Sequence, residues 1–142
     1  MQSGFPFTVN VRGDSANIGG GSGGIFVRPN AVPGVDPYLP KSQWDSGHYL
    51  NPAAFQAPAS GTFGNVGRNS VVGPGYIDLD LAISRAFTWK ETRRLELRAE
   101  TFNLTNRRNY LLVGRILNDP TFGQLQSQSD PRQWQFGARF VF

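Results

Sequence analysis

The last nine residues of the chain alternate between apolar side chains and smaller or polar ones. The apolar set, at every second position, is Trp134, Phe136, Ala138, Phe140 and Phe142. A period of two places this set on one face of an extended strand. Periodicity alone would favour an amphipathic strand of a soluble β-protein. The run is, however, about as long as a membrane-crossing strand, roughly 9–11 residues, and it is aromatic at both ends, as lipid-facing barrel strands are.

The composition favours an all-β chain with long loops. Of the 142 residues, 39% are hydrophobic, and the 17 Gly and 10 Pro argue against a helical protein. The absence of cysteine excludes disulfides and thiolate metal sites. No signal peptide is recognisable at the N-terminus, and no apolar run is long enough for a transmembrane helix. A membrane role would therefore come through strands.

The net charge of +4 comes from one segment of the chain. Between Arg85 and Arg108 there are seven basic and three acidic residues. Such clusters can contact phosphates, but here the charges alternate with apolar residues as on one face of a strand. We therefore expect a charged strand face and no nucleic-acid partner.

Two strands over residues 76–88 and 92–104 are predicted to form a hairpin. Apolar residues alternate with polar or small ones in both strands. Matching apolar to apolar positions across an antiparallel pair requires a turn of odd length, about three or five residues, around Lys90-Glu91. This register would place Asp80 opposite or diagonal to Arg98, where we expect an ion pair.

A further strand is predicted over residues 5–12, with Phe7, Val9 and Val11 on one face. Residues 13–75 hold 13 of the 17 Gly and seven of the 10 Pro and are predicted to form a long loop. The loop contains a flexible Gly-rich tract at Gly19–Gly24, and residues 105–132 form a second loop. At Asn51–Phe55, an N-cap residue followed by proline predicts one helical turn with Phe55 folded inward.

The loop aromatics are candidates for contacting a ligand, although packing of the loop on itself is the favoured interpretation. They are Trp44, Tyr49, Phe55 and Phe63. The carboxylates Asp78, Asp80, Glu96 and Glu100 could suggest glycoside hydrolysis or a calcium site, but neighbouring arginines favour a charge-balanced surface. His48 is the only histidine, which excludes a multi-histidine metal site. We expect no catalytic site, no metal and no cofactor.

Several segments together resemble the C-terminal end of TonB-dependent outer-membrane receptors, most closely the Oar-like group with a carboxypeptidase-regulatory-like domain. The resembling residues are Gly61–Asn69, Gly73–Gly75 followed by Ile77–Leu81, Arg98–Asn106 and Asp130–Phe142. The resemblance implies a 22-stranded barrel with an N-terminal plug, driven by an inner-membrane energy-coupling protein. It also implies that the aromatic residues of the final strand, ending at Phe142, are the signal read by the barrel-assembly machinery.

The strand pattern fits the topology of such a barrel. If Phe142 is periplasmic, residues 5–12, 76–88, 92–104 and 133–142 form an antiparallel up-and-down meander of about four strands. The 89–91 turn is then periplasmic, and the loops 13–75 and 105–132 are external, as in bacterial barrels. Four strands cannot close a barrel. We therefore expect the chain to be the end of a larger protein, or a gene fragment, located in the bacterial outer membrane.

This topology assigns the two faces of the strands. The residues expected to face lipid are Phe7, Val9, Val11, Ile77, Leu79, Leu81, Ile83, Leu95, Leu97, Phe136, Ala138 and Phe140. The residues expected to face the lumen or plug are Thr8, Asn10, Asp78, Asp80, Glu96, Arg98, Glu100, Gln133, Gln135 and Arg139. Arg85 falls on the lipid face, near the turn, from which its side chain can reach the headgroups.

The expected function is uptake of a nutrient without catalysis. The protein is expected to contact outer-membrane lipid, and the class of nutrient (siderophore, oligosaccharide or peptide) stays open. The alternative is a secreted or surface-attached β-sandwich that binds a glycan or a protein through its loops. In that case the apolar faces would pack on each other in water.

Overall fold

A computed structural model describes residues 1–19, 26–89 and 92–142. The chain is all-β, with antiparallel sheets, as predicted. The strands are β1 Pro6–Phe7, β2 Val11–Arg12, β3 Phe26–Val27, β4 Asn30–Ala31, β5 Phe55–Gln56, β6 Val71–Val72, β7 Leu81–Trp89, β8 Arg93–Phe102, β9 Tyr110–Val113, β10 Leu125–Gln128 and β11 Gln133–Val141. Two 3₁₀ helices span Lys41–Ser46 and Pro52–Ala54. No helix among the described residues has the length and hydropathy needed to cross a membrane.

The chain divides into two compact units. The first, here called the sheet unit, comprises Met1–Gln2, Tyr76–Asn109 and Ser129–Phe142. The second, here called the loop unit, comprises Ser3–Gly75 and Tyr110–Gln128. Most of the Gly-rich tract (residues 20–24) and the Lys90-Glu91 turn lie outside the described residues.

The sheet unit contains an antiparallel sheet in the order β11-β8-β7. Phe136 pairs with Ala99, which in turn pairs with Ile83, so apolar positions align across all three strands. Trp89 pairs with Arg93, which leaves three residues between the strands. The predicted odd-length turn and the apolar register are therefore confirmed.

The regular ladder of β7 begins at Leu81 rather than at residue 76 because side chains replace part of the backbone pairing before it. The Asn109 side chain accepts from the Ile77 amide at 3.0 Å and donates to the Ile77 carbonyl at 2.8 Å. An Asp80 carboxylate oxygen accepts from the Asn103 amide at 3.0 Å. The expected Asp80–Arg98 ion pair is wrong, since Arg98 pairs instead with Glu100 on its own strand.

The loop unit is held together by short strand pairs around a hydrophobic core. The pairs are β1–β6, β2–β3, β4–β5 and β9–β10, all antiparallel. The buried core consists of Val9, Tyr49, Leu50, Ala54, Phe55, Val66, Val71 and Phe122. Gly123 accepts hydrogen bonds from the amides of Tyr49 and Leu50. A Cβ at Gly123 would lie 2.7 Å from the Leu50 carbonyl oxygen, so only glycine fits there.

The prediction of one continuous strand over residues 5–12 is wrong. β1 and β2 are separate two-residue strands of the loop unit, and each pairs with a different partner there. Val9 and Val11 are only 0% and 7% exposed, and Phe7 packs against the core, so none of the three faces lipid. Alternation with a period of two is the same for a membrane strand and for an irregular segment over a core, which is why the pattern did not distinguish them.

Two further residues of this segment were expected to face a lumen and do not. The Thr8 hydroxyl bonds to the Asn69 side chain and accepts from the Asn69 amide at 2.8 Å. The backbone of Asn10 accepts from Leu117 at 2.7 Å and donates to Arg115 at 2.9 Å. Both residues therefore belong to the loop unit.

The predicted helical turn at Asn51–Phe55 is confirmed. The Asn51 side chain accepts a hydrogen bond from the Ala53 amide at 3.1 Å, which makes it the N-cap of the 3₁₀ helix that starts at Pro52. Phe55 is buried, and its ring meets that of Phe122 edge to face at 5.7 Å. The cap thus fixes the direction in which one core aromatic enters the loop unit.

Candidate functional site

The three-stranded sheet presents one face that is mainly apolar and largely exposed. By register, this apolar face consists of Leu81, Ile83, Arg85, Phe87, Trp89, Arg93, Leu95, Leu97, Ala99, Thr101, Trp134, Phe136, Ala138 and Phe140. Phe136 is 75% exposed and Ile83 is 61% exposed. Single exposed hydrophobic residues are ordinary, but a contiguous face of this kind marks a contact with a membrane or a protein.

Aromatic side chains gather at the two ends of the apolar face. At the end with the β7–β8 turn, Trp89 lies 5.7 Å from Phe140, whose ring stacks on Phe142 at 5.9 Å. At the other end, Trp134 stacks on Phe136 at 6.1 Å. Six residues of strand, about 20 Å, separate Trp134 from Phe140. Two aromatic bands around an apolar middle are the pattern of a strand sheet that crosses a bilayer.

The opposite, polar face carries the charges of β8. Along this strand, Arg94, Glu96, Arg98 and Glu100 alternate in sign, with ion pairs Arg94–Glu96 and Arg98–Glu100. The side chains that β7 contributes to the same face are all small: Ala82, Ser84, Ala86 and Thr88. Gly137 of β11 lies directly opposite Arg98. The long arginine side chains therefore have open space on both sides.

Six of the ten side chains predicted to face the lumen share this polar face. They are Glu96, Arg98, Glu100, Gln133, Gln135 and Arg139. Asp78 and Asp80 precede the regular part of β7 instead. Asp78 accepts hydrogen bonds from the Leu79 amide at 2.9 Å and from the Tyr76 hydroxyl at 3.3 Å. Both aspartates therefore accept hydrogen bonds from backbone amides just before β7 begins.

Three of the four loop aromatics pack into the loop unit. Tyr49 and Phe55 are buried in its core, and Trp44 packs against that core with its ring 4.8 Å from Tyr49. Phe63 is exposed. For Trp44, Tyr49 and Phe55 the favoured interpretation, packing of the loop on itself, describes the structure.

Two tyrosine hydroxyls form hydrogen bonds with the backbone of Val72 in β6. The Tyr49 hydroxyl donates to the Val72 carbonyl at 2.7 Å, and the Val72 amide donates to the Tyr38 hydroxyl at 2.9 Å. Burial, with a smaller contribution from Tyr38, raises the pKa of Tyr49 to about 12. The Tyr49 side chain is therefore un-ionised in the folded loop unit at neutral pH.

This pKa predicts that the loop unit loses stability in strong alkali. Because the folded pKa lies above the ordinary value of 10.0, the contribution is fully present below pH 10 and is lost as the pH rises toward 12. We expect a loss of up to about 3 kcal/mol, measured by urea unfolding followed by Trp44 fluorescence in a Trp89→Phe, Trp134→Phe background. Tyr49→Phe should be less stable at neutral pH and should lack this pH dependence. An equal alkaline loss in both proteins would contradict the assignment.

Asn103 and Asn109 are buried asparagines that bind backbone groups of the sheet unit, and hydrophobic alternation does not predict these roles. Asn103 is buried at a φ of 51°, and its side chain bonds to the backbone of Arg107 and Asp130. It thereby ties the end of β8 to the segment that enters β11. A sequence signal existed, since asparagine is one of the few residues that tolerates a positive φ.

Among the described residues, no group of three or more His, Cys, Asp or Glu side chains is arranged to hold a metal ion. Residues 1–135 match a protein-family model described as an outer membrane beta barrel domain. No curated protein and no solved structure matches the chain significantly.

Proposed function

We propose that this chain, which belongs to the outer membrane beta barrel domain family, forms part of the wall and external loops of a TonB-dependent transporter that takes up a nutrient without catalysing a reaction. The family indicates an outer-membrane location. The finer assignment, to a TonB-dependent receptor of the Oar-like group, is supported by the resemblance of the segments around Gly61–Asn69 and Arg98–Asn106.

The observation that carries the proposal is the two-sided sheet. One side is apolar with aromatic ends, and the other is a charged ladder flanked by small residues. A soluble sheet with this pattern would cover its apolar side, whereas Phe136, Ile83 and Trp134 are all exposed. The same exposure weighs against the β-sandwich alternative, in which a second sheet would pack on these residues.

In the proposed barrel, the apolar face contacts lipid and the polar face lines a water-filled lumen or contacts a plug. Further strands would pair with the outer edges of β7 and β11, since unpaired strand edges cannot persist in a bilayer. The barrel-assembly machinery would read Trp134, Phe136, Ala138, Phe140 and Phe142. The loop unit would lie outside the membrane.

Single cysteines on neighbouring positions of β11 test this arrangement directly, because the chain contains no cysteine of its own. Gln135→Cys places the thiol on the polar face, and Phe136→Cys places it on the apolar face. In cells that produce the protein in their outer membrane, a water-soluble maleimide should label Gln135→Cys at least about tenfold faster, since a thiol in hydrocarbon is neither hydrated nor ionised.

Ala99→Cys and Glu100→Cys on β8 provide a matched pair, because they lie opposite Phe136 and Gln135 respectively. Equal labelling within both pairs would rule out a membrane wall. Transport is measured in the same cells. Uptake that the protein supports should disappear when the energy-coupling protein is deleted, and it should fall when a bulky maleimide is attached at Gln135→Cys. Uptake that persists without the coupling protein would contradict TonB dependence and leave the wall assignment intact.

A further inference from the structure

Arg85 occupies a position where a cation is costly if the sheet lies in a membrane. It sits in the middle of β7 on the apolar face, in line with Leu97 and then Ala138. An arginine on the lipid side of a barrel costs roughly 2–4 kcal/mol at the bilayer midplane and little near the interfaces. A charge kept at such a site usually has a partner or a function.

A shallow depression of about 410 Å³ lies beside Arg85 on the sheet. It is lined by Ile83, Arg85, Leu97, Arg98, Ala99, Phe136, Gly137 and Ala138. Ala99 and Ala138 are the smallest side chains of the apolar face, and the larger Ile83 and Phe136 flank them. Six of these eight residues belong to the apolar face, while Arg98 and Gly137 belong by register to the polar face. The depression is therefore mainly apolar, and Arg85 is part of its lining.

The Arg85 side chain extends toward the end of the sheet that carries the β7–β8 turn. Its guanidinium carbon lies 5.1 Å from the centre of the Phe87 ring, two residues closer to that turn. Four residues separate Arg85 from Trp89, which is about 13 Å along the strand and about 10 Å in depth at a typical barrel tilt. An extended arginine spans much of that depth, so its charge approaches the headgroup level.

A second cation marks the same end of the apolar face. Arg93 pairs with Trp89 at the last rung of the ladder, on the same side as Arg85. The two arginines thus border a strip formed by Phe87, Trp89 and Leu95. Guanidinium groups bind phosphate through two parallel hydrogen bonds, and these bonds are stronger where water is scarce.

We propose that Arg85 and the adjacent depression form a binding site for one anionic glycerophospholipid, with the phosphate on the guanidinium and an acyl chain in the depression. The inference rests on the proposed function, which places the apolar face in lipid and the β7–β8 turn at the periplasmic leaflet. The site explains both the position of the charge and the small residues next to it.

The test uses the full chain in phosphatidylcholine vesicles that contain a small fraction of brominated lipid, which quenches tryptophan. Trp44→Phe and Trp134→Phe leave Trp89 as the only tryptophan. Brominated phosphatidylglycerol should quench Trp89 with about fivefold preference over brominated phosphatidylcholine. In Arg85→Gln this preference should fall close to one, and Arg85→Lys should retain part of it.

Arg94→Gln is the matched control. Arg94 of β8 carries the same charge as Arg85 and lies in the half of the sheet that contains the β7–β8 turn, but it is on the polar face. This variant should keep the preference. A similar loss in Arg94→Gln and Arg85→Gln would show general charge attraction and overturn the site. Equal quenching by both lipids in the chain with Arg85 would also overturn it, while the quenching itself would still support insertion. Absence of quenching by either lipid would also overturn the site, because Trp89 would then not contact lipid.

Discussion

Replacing Leu50 with alanine is expected to remove about 3–5 kcal/mol from the stability of the loop unit. Leu50 is 1% exposed and belongs to the core cluster that includes Val9 and Phe122. The loss combines the transfer free energy of the missing carbons with the cavity that remains, because Gly123 fixes the backbone at this point and limits collapse. Urea unfolding followed by Trp44 fluorescence, in a Trp89→Phe, Trp134→Phe background, measures the effect.

Leu112→Ala is the control, since it removes the same atoms from the same unit at a side chain that is 59% exposed. It should cost less than about 1 kcal/mol. Similar losses in the two variants would mean that the loop unit has no specific core. The comparison also distinguishes a folded loop unit from two long loops without tertiary structure.

Replacing Asn103 with leucine is expected to destabilise the sheet unit by about 3–6 kcal/mol. The side chain makes three hydrogen bonds to backbone groups, at 3.0, 3.1 and 3.0 Å, and leucine can make none of them. Leucine must also adopt a φ of 51°, which costs roughly 1–2 kcal/mol more. Thermal or urea unfolding in detergent micelles, followed by Trp89 and Trp134 fluorescence, gives the loss.

Asn106→Leu is a matched comparison three residues away. Asn106 has nearly the same φ, 50°, but it is exposed and its side chain makes one hydrogen bond, from the Arg132 amide. Its loss should be less than half that of Asn103→Leu. Asn103→Gly separates the two causes, because glycine accepts the backbone conformation but forms no side-chain bonds. If Asn103→Gly were as stable as the parent, strain alone would explain the leucine variant.

The register of the sheet could be predicted from the sequence because it depends on the alternation of apolar and polar residues along each strand. Leu95 and Leu97 can share a face with the apolar residues of β7 only if the turn has odd length. The pairing of Trp89 with Arg93 leaves three residues between the strands, which is such a length. The same reasoning placed Glu96, Arg98 and Gln135 on one face. Local pattern decides these features, so they could be derived without tertiary information.

The fold of the loop unit could not be predicted in this way. Phe7, Val9 and Val11 alternate as well as any barrel strand does, but their contacts lie far along the chain. Phe7 pairs with Val71, Val11 pairs with Val27, and Val9 is buried in a core that also contains Leu50 and Phe122. Asp80 was assigned to Arg98 because the pattern offers only strand neighbours. Its actual partner is the Asn103 amide, which becomes available only because a positive φ ends the strand there. Long-range contacts of this kind leave no periodic signal.

The bonds between Arg12 and Asn118 have a consequence for the order in which the chain folds. The Arg12 amide donates to the Asn118 side chain at 3.1 Å, and that side chain donates back to the Arg12 carbonyl at 3.0 Å, across 106 positions of sequence. These two bonds can therefore form only after Asn118 has been synthesised, 106 positions after Arg12. Contacts this distant form slowly, so the early segment spends that interval exposed to aggregation. The loop unit is thus completed late, after the segment that carries Asn118 has been synthesised.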